Sequence, residues 1–140
     1  MAAAGALALA LSACVASPSR GSDGQVMATA TVKLADLKVG DCITDASSLG
    51  VEVTDVQVVP CSSPHDGEVY ATESNVPNVE ADIHSYCLDQ FAIYVGLDFD
   101  SSALAAQFLH NPDTSSNTDV QCILYLPGQT TTQSYKGSQQ

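Results

Sequence analysis

The number and position of the cysteines constrain this chain most. Of its 140 residues five are cysteines, and Cys14 ends an apolar N-terminal segment while four others follow. An even number of cysteines outside the cytoplasm favours disulfides, and four cysteines permit three pairings that the sequence does not distinguish. We favour the pairing Cys42–Cys61, which brackets a predicted hairpin, together with Cys87–Cys122, which would join a helix to the last strand.

The N-terminal segment predicts export. Residues 2–11 read AAAGALALAL, an apolar run of about ten residues that is too short to cross a bilayer but typical of a signal peptide. It leads into Leu11-Ser12-Ala13-Cys14, which resembles the lipobox of bacterial lipoproteins. The resemblance implies cleavage before Cys14 and lipidation of its thiol. We therefore expect a signal peptide over 1–13 and a lipid anchor at Cys14 on the extracytoplasmic face of the cell membrane. The alternatives are a cleaved signal peptide of a soluble exported protein and an apolar N-terminus that contains a cysteine by chance.

Composition predicts where the folded part lies. Residues 14–33 are rich in Ser, Gly, Ala and Thr without an apolar period, which indicates a flexible tether. We expect one folded domain over 34–127, followed by a disordered tail over 128–140.

The chain is strongly acidic, with 16 Asp and Glu against 4 Lys and Arg and a formal net charge of -12. Such a surface repels phosphate backbones, so we expect no nucleic-acid partner. It also gains nothing from anionic lipid headgroups, so membrane attachment is expected to come from something other than charge, namely the lipid anchor.

Residue periodicity predicts an α+β domain: a small antiparallel sheet with one main helix, stapled by two disulfides. The predicted strands are 51–59, 67–73 and 120–126, and the predicted helix is 81–95, stopped by Gly96. Residues 98–112 are ambiguous, with a short helical turn favoured over 102–108. Residues 113–119 are predicted to form a polar loop.

The sequence predicts no enzyme. Catalysis needs a nucleophile with a base, paired carboxylates or a metal, whereas no GxSxG motif is present and the cysteines are expected in disulfides. We therefore expect no catalytic residue, no cofactor and no metal. Zinc is the alternative, because Cys61 and His65 are four residues apart and His84 and Cys87 are three apart.

Three segments carry a resemblance to a known family. Residues 37–42 resemble the pattern LxxGDC, residues 56–70 (VQVVPCSSPHDGEVY) resemble VxxVPCxxPHxxEVY, and a helical Cys87 is followed by Asp119-Val120-Gln121-Cys122. Over residues 34–126 the chain is similar to the septum formation family of actinobacterial extracytoplasmic domains. The resemblance implies four paired cysteines and an envelope location, and the family name implies a link to septation.

His65 and Glu68 are the polar residues of the central motif. Either side chain can hydrogen-bond amides of the turn after Cys61 or pair with the other, and a ligand or metal contact is the alternative. We expect a lipid-anchored envelope module for binding or scaffolding, whose partner is an envelope or division-septum protein or a cell-wall component. The second hypothesis is a lipoprotein that binds a small molecule or a metal.

Overall fold

The computed structural model describes residues 17–50, 53–110 and 116–140. These residues form six strands and one α-helix: β1 Ala30–Lys33, β2 Cys42–Ile43, β3 Asp55–Val59, β4 Gly67–Pro77, α1 Glu80–Val95, β5 Ala105–His110 and β6 Asn117–Tyr125. The strands make one antiparallel sheet in the order β1-β3-β2-β4-β6-β5. The predicted α+β class, with one main helix and two disulfides, is confirmed.

Strand β4 lies near the centre of the sheet and carries the end of the central motif. Its first residue, Gly67, has no room for a side chain, because a Cβ there would lie 2.2 Å from the Cβ of Ala46 and 3.0 Å from the carbonyl oxygen of Leu124. Glycine therefore lets the short turn at Ala46 pack directly on the sheet. The strand is fully buried from Gly67 to Ala71.

Helix α1 packs one face on the sheet. Its buried residues recur at helical spacing, namely Ile83, Cys87, Phe91, Tyr94 and Val95. Glu80 and Asp82 lie in the first turn, where carboxylates interact favourably with the helix dipole. Gly96 ends the helix with φ 81°, a conformation that glycine adopts without strain.

The two faces of the sheet support separate apolar clusters, because successive strand residues point to opposite faces. Tyr70 and Leu124 belong to the cluster beneath α1, which also contains Phe91. Val69 and Ile123 belong to the cluster on the other face, which is covered by the N-terminal segment and short turns.

The disulfides are Cys42–Cys61 and Cys87–Cys122, the pairing that we favoured. The first joins β2 to the residues after β3, and the second joins α1 to β6. In the chain-entropy model, loops closed by 19 and 35 residues correspond to about 3 and about 4 kcal/mol of stabilisation. Such contributions are a large part of the stability of a small domain.

The predicted domain start at residue 34 is wrong. Strand β1 pairs with β3 from Ala30 onward, and Val26 is only 2% exposed. The segment lacked an apolar period because β1 is short and Val32 is its one buried residue. The predicted signal peptide and Cys14 lie outside the described residues. Within the described part of the chain, no helix is both long enough and apolar enough to span a bilayer.

Residues 128–140, which were predicted to form a disordered tail, are ordered as well. Tyr135 is 3% exposed, and the backbone amides of Gly137 and Gln139 donate to the carbonyls of Tyr94 and Val95 over 2.8 and 3.0 Å. Backbone hydrogen bonds hold this segment, and they leave no hydrophobic pattern in the sequence.

Two local predictions need correction as well. Residues 105–110 form strand β5 rather than the expected helical turn, because pairing with β6 overrides the helix propensity of the alanines. Strand β6 begins at Asn117, inside the expected polar loop, whose residues 113–115 lie outside the description. The predicted strand at 51–59 is described from residue 53 and is paired from Asp55.

Candidate functional site

Glu68 is a buried carboxylate, 1% exposed, held by three hydrogen bonds. The hydroxyls of Tyr94 and Ser134 each donate to Oε1 over 2.6 Å, and the backbone amide of Tyr135 donates to Oε2 over 2.6 Å. These four residues form what we call the Glu68 cluster. A buried carboxylate requires such donors, because an uncompensated charge is strongly destabilising. We had expected Glu68 to serve the turn after Cys61, but it fixes the C-terminal segment instead.

Burial sets the protonation of the tyrosines in this cluster. Burial raises the pKa of Tyr94 far above its usual value, and the hydrogen bond to Glu68 raises it further. Burial also raises the pKa of Tyr135, with smaller contributions from the charges of Asp66 and Glu68. Tyr94 therefore remains a neutral hydrogen-bond donor to Glu68 at physiological pH.

His65 is 1% exposed and bonds to its own turn. Its Nδ1 lies 2.8 Å from the carbonyl oxygen of Ser63, so Nδ1 carries a proton and donates a hydrogen bond to that oxygen. Nε2 has no partner among the described residues. The backbone of His65 forms a two-bond bridge with Thr131, and its ring lies edge-on to Tyr135 at 6.3 Å. His65 thus connects the turn to the C-terminal segment, and it does not pair with Glu68.

A polar hollow of about 360 Å³ lies beside His65. Its lining includes Asp45 and Asp66, and the Asp66 carboxylate accepts the amide of Ala46 over 2.8 Å. Asp66 therefore stabilises the turn at residues 46–48 by accepting a hydrogen bond from its first backbone amide, although Asp66 is distant from the turn in sequence.

Disulfide formation removes the ligands that a zinc site would use. Among the described residues one group of potential metal ligands converges, Cys42, Cys61 and Glu68, whose ligand atoms lie within 4.8 Å of one another. Both sulfurs are bonded to each other, and zinc binds thiolates rather than disulfides. The spacings at Cys61–His65 and His84–Cys87 each lose their cysteine in the same way.

Asp41 is a second buried carboxylate, also 1% exposed. The Arg20 guanidinium binds both of its oxygens, with Nη2 2.9 Å from Oδ2, and the amide of Lys38 donates to Oδ2 over 2.9 Å. The hydrogen bond to Asp41 raises the pKa of Arg20. These three residues form what we call the Asp41 cluster, which attaches the N-terminal segment to the domain. The role of Asp41 in attaching the N-terminal segment was not predicted, although Asp41 lies inside the LxxGDC pattern.

Three grooves lie elsewhere on the surface that the described residues form. One, of about 760 Å³, lies at the start of α1, and its lining includes Val79. The helix groove, about 350 Å³, lies between α1 and β4 and is lined by Val39, Tyr70, Tyr86, Gln90 and Ile93 among others. The cationic groove, about 680 Å³, lies beside the N-terminal segment, and its lining includes Arg20, Lys33 and Lys38.

No family model, curated protein or solved structure matches this chain. Function is therefore inferred from the motifs and from the geometry of these clusters and grooves.

Proposed function

We propose that this protein is a lipid-anchored binding module of the cell envelope, that it recognises another envelope protein rather than transforming a substrate, and that it acts in septum formation. The exported context rests on the leader and Cys14. The two disulfides agree with an oxidising compartment. The link to septation rests on the resemblance of the three motifs.

The observation that carries the binding role is the helix groove. Ile93 is 76% exposed and Val39 is 52% exposed, and both line a groove whose lining also includes the partly buried Tyr86. Clustered exposed apolar and aromatic side chains are typical of interaction sites. Ile93 lies on a helix that is bonded covalently to the sheet through Cys87, so little ordering entropy is lost on binding.

The groove is suited to an apolar side chain from a protein partner. The net charge of -12 attracts a partner whose overall surface is basic, whereas the one charged residue in the groove lining is Lys136. The inferred occupant is therefore an apolar side chain, without Lys or Arg directly beside it, on another envelope protein of basic overall charge.

The motif residues support a role without catalysis. Glu68 is committed to three donors, His65 bonds a turn carbonyl, and Cys61 is disulfide-bonded. None of the three combines exposure with a free nucleophile or base.

The second candidate, a small-molecule or metal-binding lipoprotein, is favoured by one observation. Nε2 of His65 is buried without a partner, and His65 lines the polar hollow. Titration with zinc, copper or calcium distinguishes this candidate, because a ligand that binds only the native state raises the melting temperature.

The test of the binding role uses two exposed apolar positions on the same helix region. A photoreactive amino acid replaces Ile93 in one strain and Val79, 52% exposed at the start of α1, in the other. We expect a division or envelope protein to be captured from position 93 and not from position 79. With that protein purified, Ile93→Gln should weaken binding by about tenfold, as expected for a central interface residue, while Val79→Gln should leave it unchanged. Equal capture from both positions, or equal affinity of both variants, would contradict the proposal.

A further inference from the structure

Positive charge is distributed very unevenly over this acidic chain. Of its 4 Lys and Arg residues, Arg20, Lys33 and Lys38 all line the cationic groove. Asp41 neutralises Arg20, and Asp36 is the one carboxylate in the lining. Lys33 and Lys38 are exposed, and neither ammonium group forms an ion pair within the described part of the chain.

The groove lies close along the chain to the predicted anchor. Ser17 is part of its lining, and Ser17 follows Cys14 by three residues. Three residues span at most about 11 Å when fully extended. The segment from 17 to 33 cannot lengthen this connection while the domain is folded, because Val26 is buried and Arg20 is bound to Asp41.

This geometry keeps the groove near any membrane that holds Cys14. The maximum span from Cys14 to Ser17 is comparable to the Debye length of about 8 Å at physiological ionic strength, so the edge of the groove that holds the two lysines lies close to the charged headgroups. The rest of the domain is acidic and is repelled by the same surface, which turns the groove toward the membrane.

We propose that the cationic groove docks on the phosphate groups of anionic phospholipids in the membrane that holds the Cys14 anchor, and that this contact sets the orientation of the domain. The inference rests on the proposed lipid anchoring. The acyl chains supply affinity, and Lys33 and Lys38 supply two compact charges that suit phosphate. The domain thus lies directly on the lipid surface instead of at the end of a long tether.

The experiment measures the reactivity of each lysine in the full chain on vesicles. The lipid on Cys14 is first verified by mass; if it is absent, the Cys14 thiol is coupled to a maleimide lipid, which preserves the same connection. Amine labelling of Lys33, Lys38 and Lys136 is then quantified on vesicles of zwitterionic lipid with and without phosphatidylglycerol. Lys136, on the C-terminal segment, is the internal control because it lies outside the cationic groove.

On phosphatidylglycerol vesicles we expect labelling of Lys33 and Lys38 to fall about fivefold, the equivalent of about 1 kcal/mol for each lysine at an anionic surface, while labelling of Lys136 is unchanged. High salt should abolish the difference. If phosphatidylglycerol changes the labelling of none of the three lysines, or of all three equally, the docking proposal is overturned. Equal protection by inorganic phosphate on zwitterionic vesicles would also overturn it, in favour of a soluble anion. A missing lipid on native Cys14 would contradict the anchoring instead, which the mass measurement reports separately.

Discussion

The two ends of the described chain form an instructive pair. Both were predicted to be flexible, and both are fixed to the domain by a buried carboxylate that belongs to a sequence motif. Asp41 of the LxxGDC pattern binds the N-terminal segment, and Glu68 of the PHxxEVY pattern binds the C-terminal segment. Each of these carboxylates is 1% exposed.

The two carboxylates differ in how they are satisfied. Asp41 depends on one cation, Arg20, assisted by the amide of Lys38. Glu68 pairs with no cation in the described part of the chain and accepts hydrogen bonds from two hydroxyls and one amide. The Asp41 cluster therefore depends on a single cation, whereas the Glu68 cluster is distributed over several donors and can be weakened in steps. Each of the two acidic motif residues thus has a structural role that accounts for its burial.

The largest effect is expected from removing the distributed acceptor. Glu68→Ala should lower the free energy of unfolding by about 3 kcal/mol, because it leaves buried donors unsatisfied and creates a cavity. Denaturant unfolding measures the loss. Hydrogen exchange should accelerate first at residues 131–139, whose backbone bonds depend on this contact.

Glu73→Ala is the matched control for this prediction. Glu73 lies on the same strand but is exposed, so its replacement should change stability by less than about 0.5 kcal/mol. Equal losses from the two variants would show that Glu68 does not hold the C-terminal segment.

A smaller effect is expected at the N-terminal end. Arg20→Ala should lower the free energy of unfolding by about 2 kcal/mol. The loss is limited because Asp41 retains the Lys38 amide and because water can enter the space that the 14% exposed Arg20 side chain leaves. Exchange should accelerate at residues 20–27, where Met27 donates to Ser19 across the short bridge, and not at residues 131–139.

Lys33→Ala tests whether the loss is specific to Arg20. It removes an exposed cation from the same groove and should leave stability nearly unchanged. If hydrogen exchange accelerates at both chain ends in Arg20→Ala, the two attachments are coupled, and the Asp41 and Glu68 clusters do not hold the two ends independently.

The comparison of the ends also shows what the sequence reveals. The bounds of helix α1 were predicted to within one residue, because its buried positions repeat at helical spacing and Gly96 terminates it. The disulfide pairing followed from placing Cys42 and Cys61 around a hairpin and Cys87 on the helix. Local pattern was sufficient for the helix, whereas it favoured one disulfide pairing without excluding the other two.

The ends of the domain were missed for a physical reason. Both segments contribute few buried apolar residues, such as Val26 and Tyr135, and are held by polar contacts between residues far apart in sequence. A carboxylate in a motif shows that it matters, but not which distant donor it meets. His65 and Glu68 were identified, yet the dependence of Glu68 on Tyr94 and Ser134 requires the three-dimensional arrangement.

The smallest effect is expected from removing one donor of the Glu68 cluster. Tyr94→Phe should lower the free energy of unfolding by about 1 kcal/mol at pH 8, because Glu68 keeps two of its three bonds. This deficit should shrink at high pH. The usual tyrosine pKa is 10.0, and the pKa of folded Tyr94 is raised, so above pH 10 the unfolded wild type loses a proton that the folded protein retains. The free energy of unfolding of the wild type therefore falls by at most about 1.4 kcal/mol per pH unit because of Tyr94, and that of the variant does not fall for this reason.

Tyr70→Phe separates the hydrogen bond from the titration. Burial raises the pKa of Tyr70 as well, but its hydroxyl has no partner among the described residues. Tyr70→Phe should therefore be no less stable than the wild type at pH 8 and should gain on it above pH 10, since it too lacks a titrating group. Unfolding curves at pH 8, 9, 10 and 11 check both variants, and the remaining tyrosines titrate alike in all three proteins. If the stability deficit of Tyr94→Phe stays constant to pH 11, folded Tyr94 ionises with an ordinary pKa. Tyr94 then stops donating to Glu68 over the same pH range in which unfolded tyrosine ionises. At high pH the C-terminal segment would be attached to Glu68 through Ser134 and the Tyr135 amide alone.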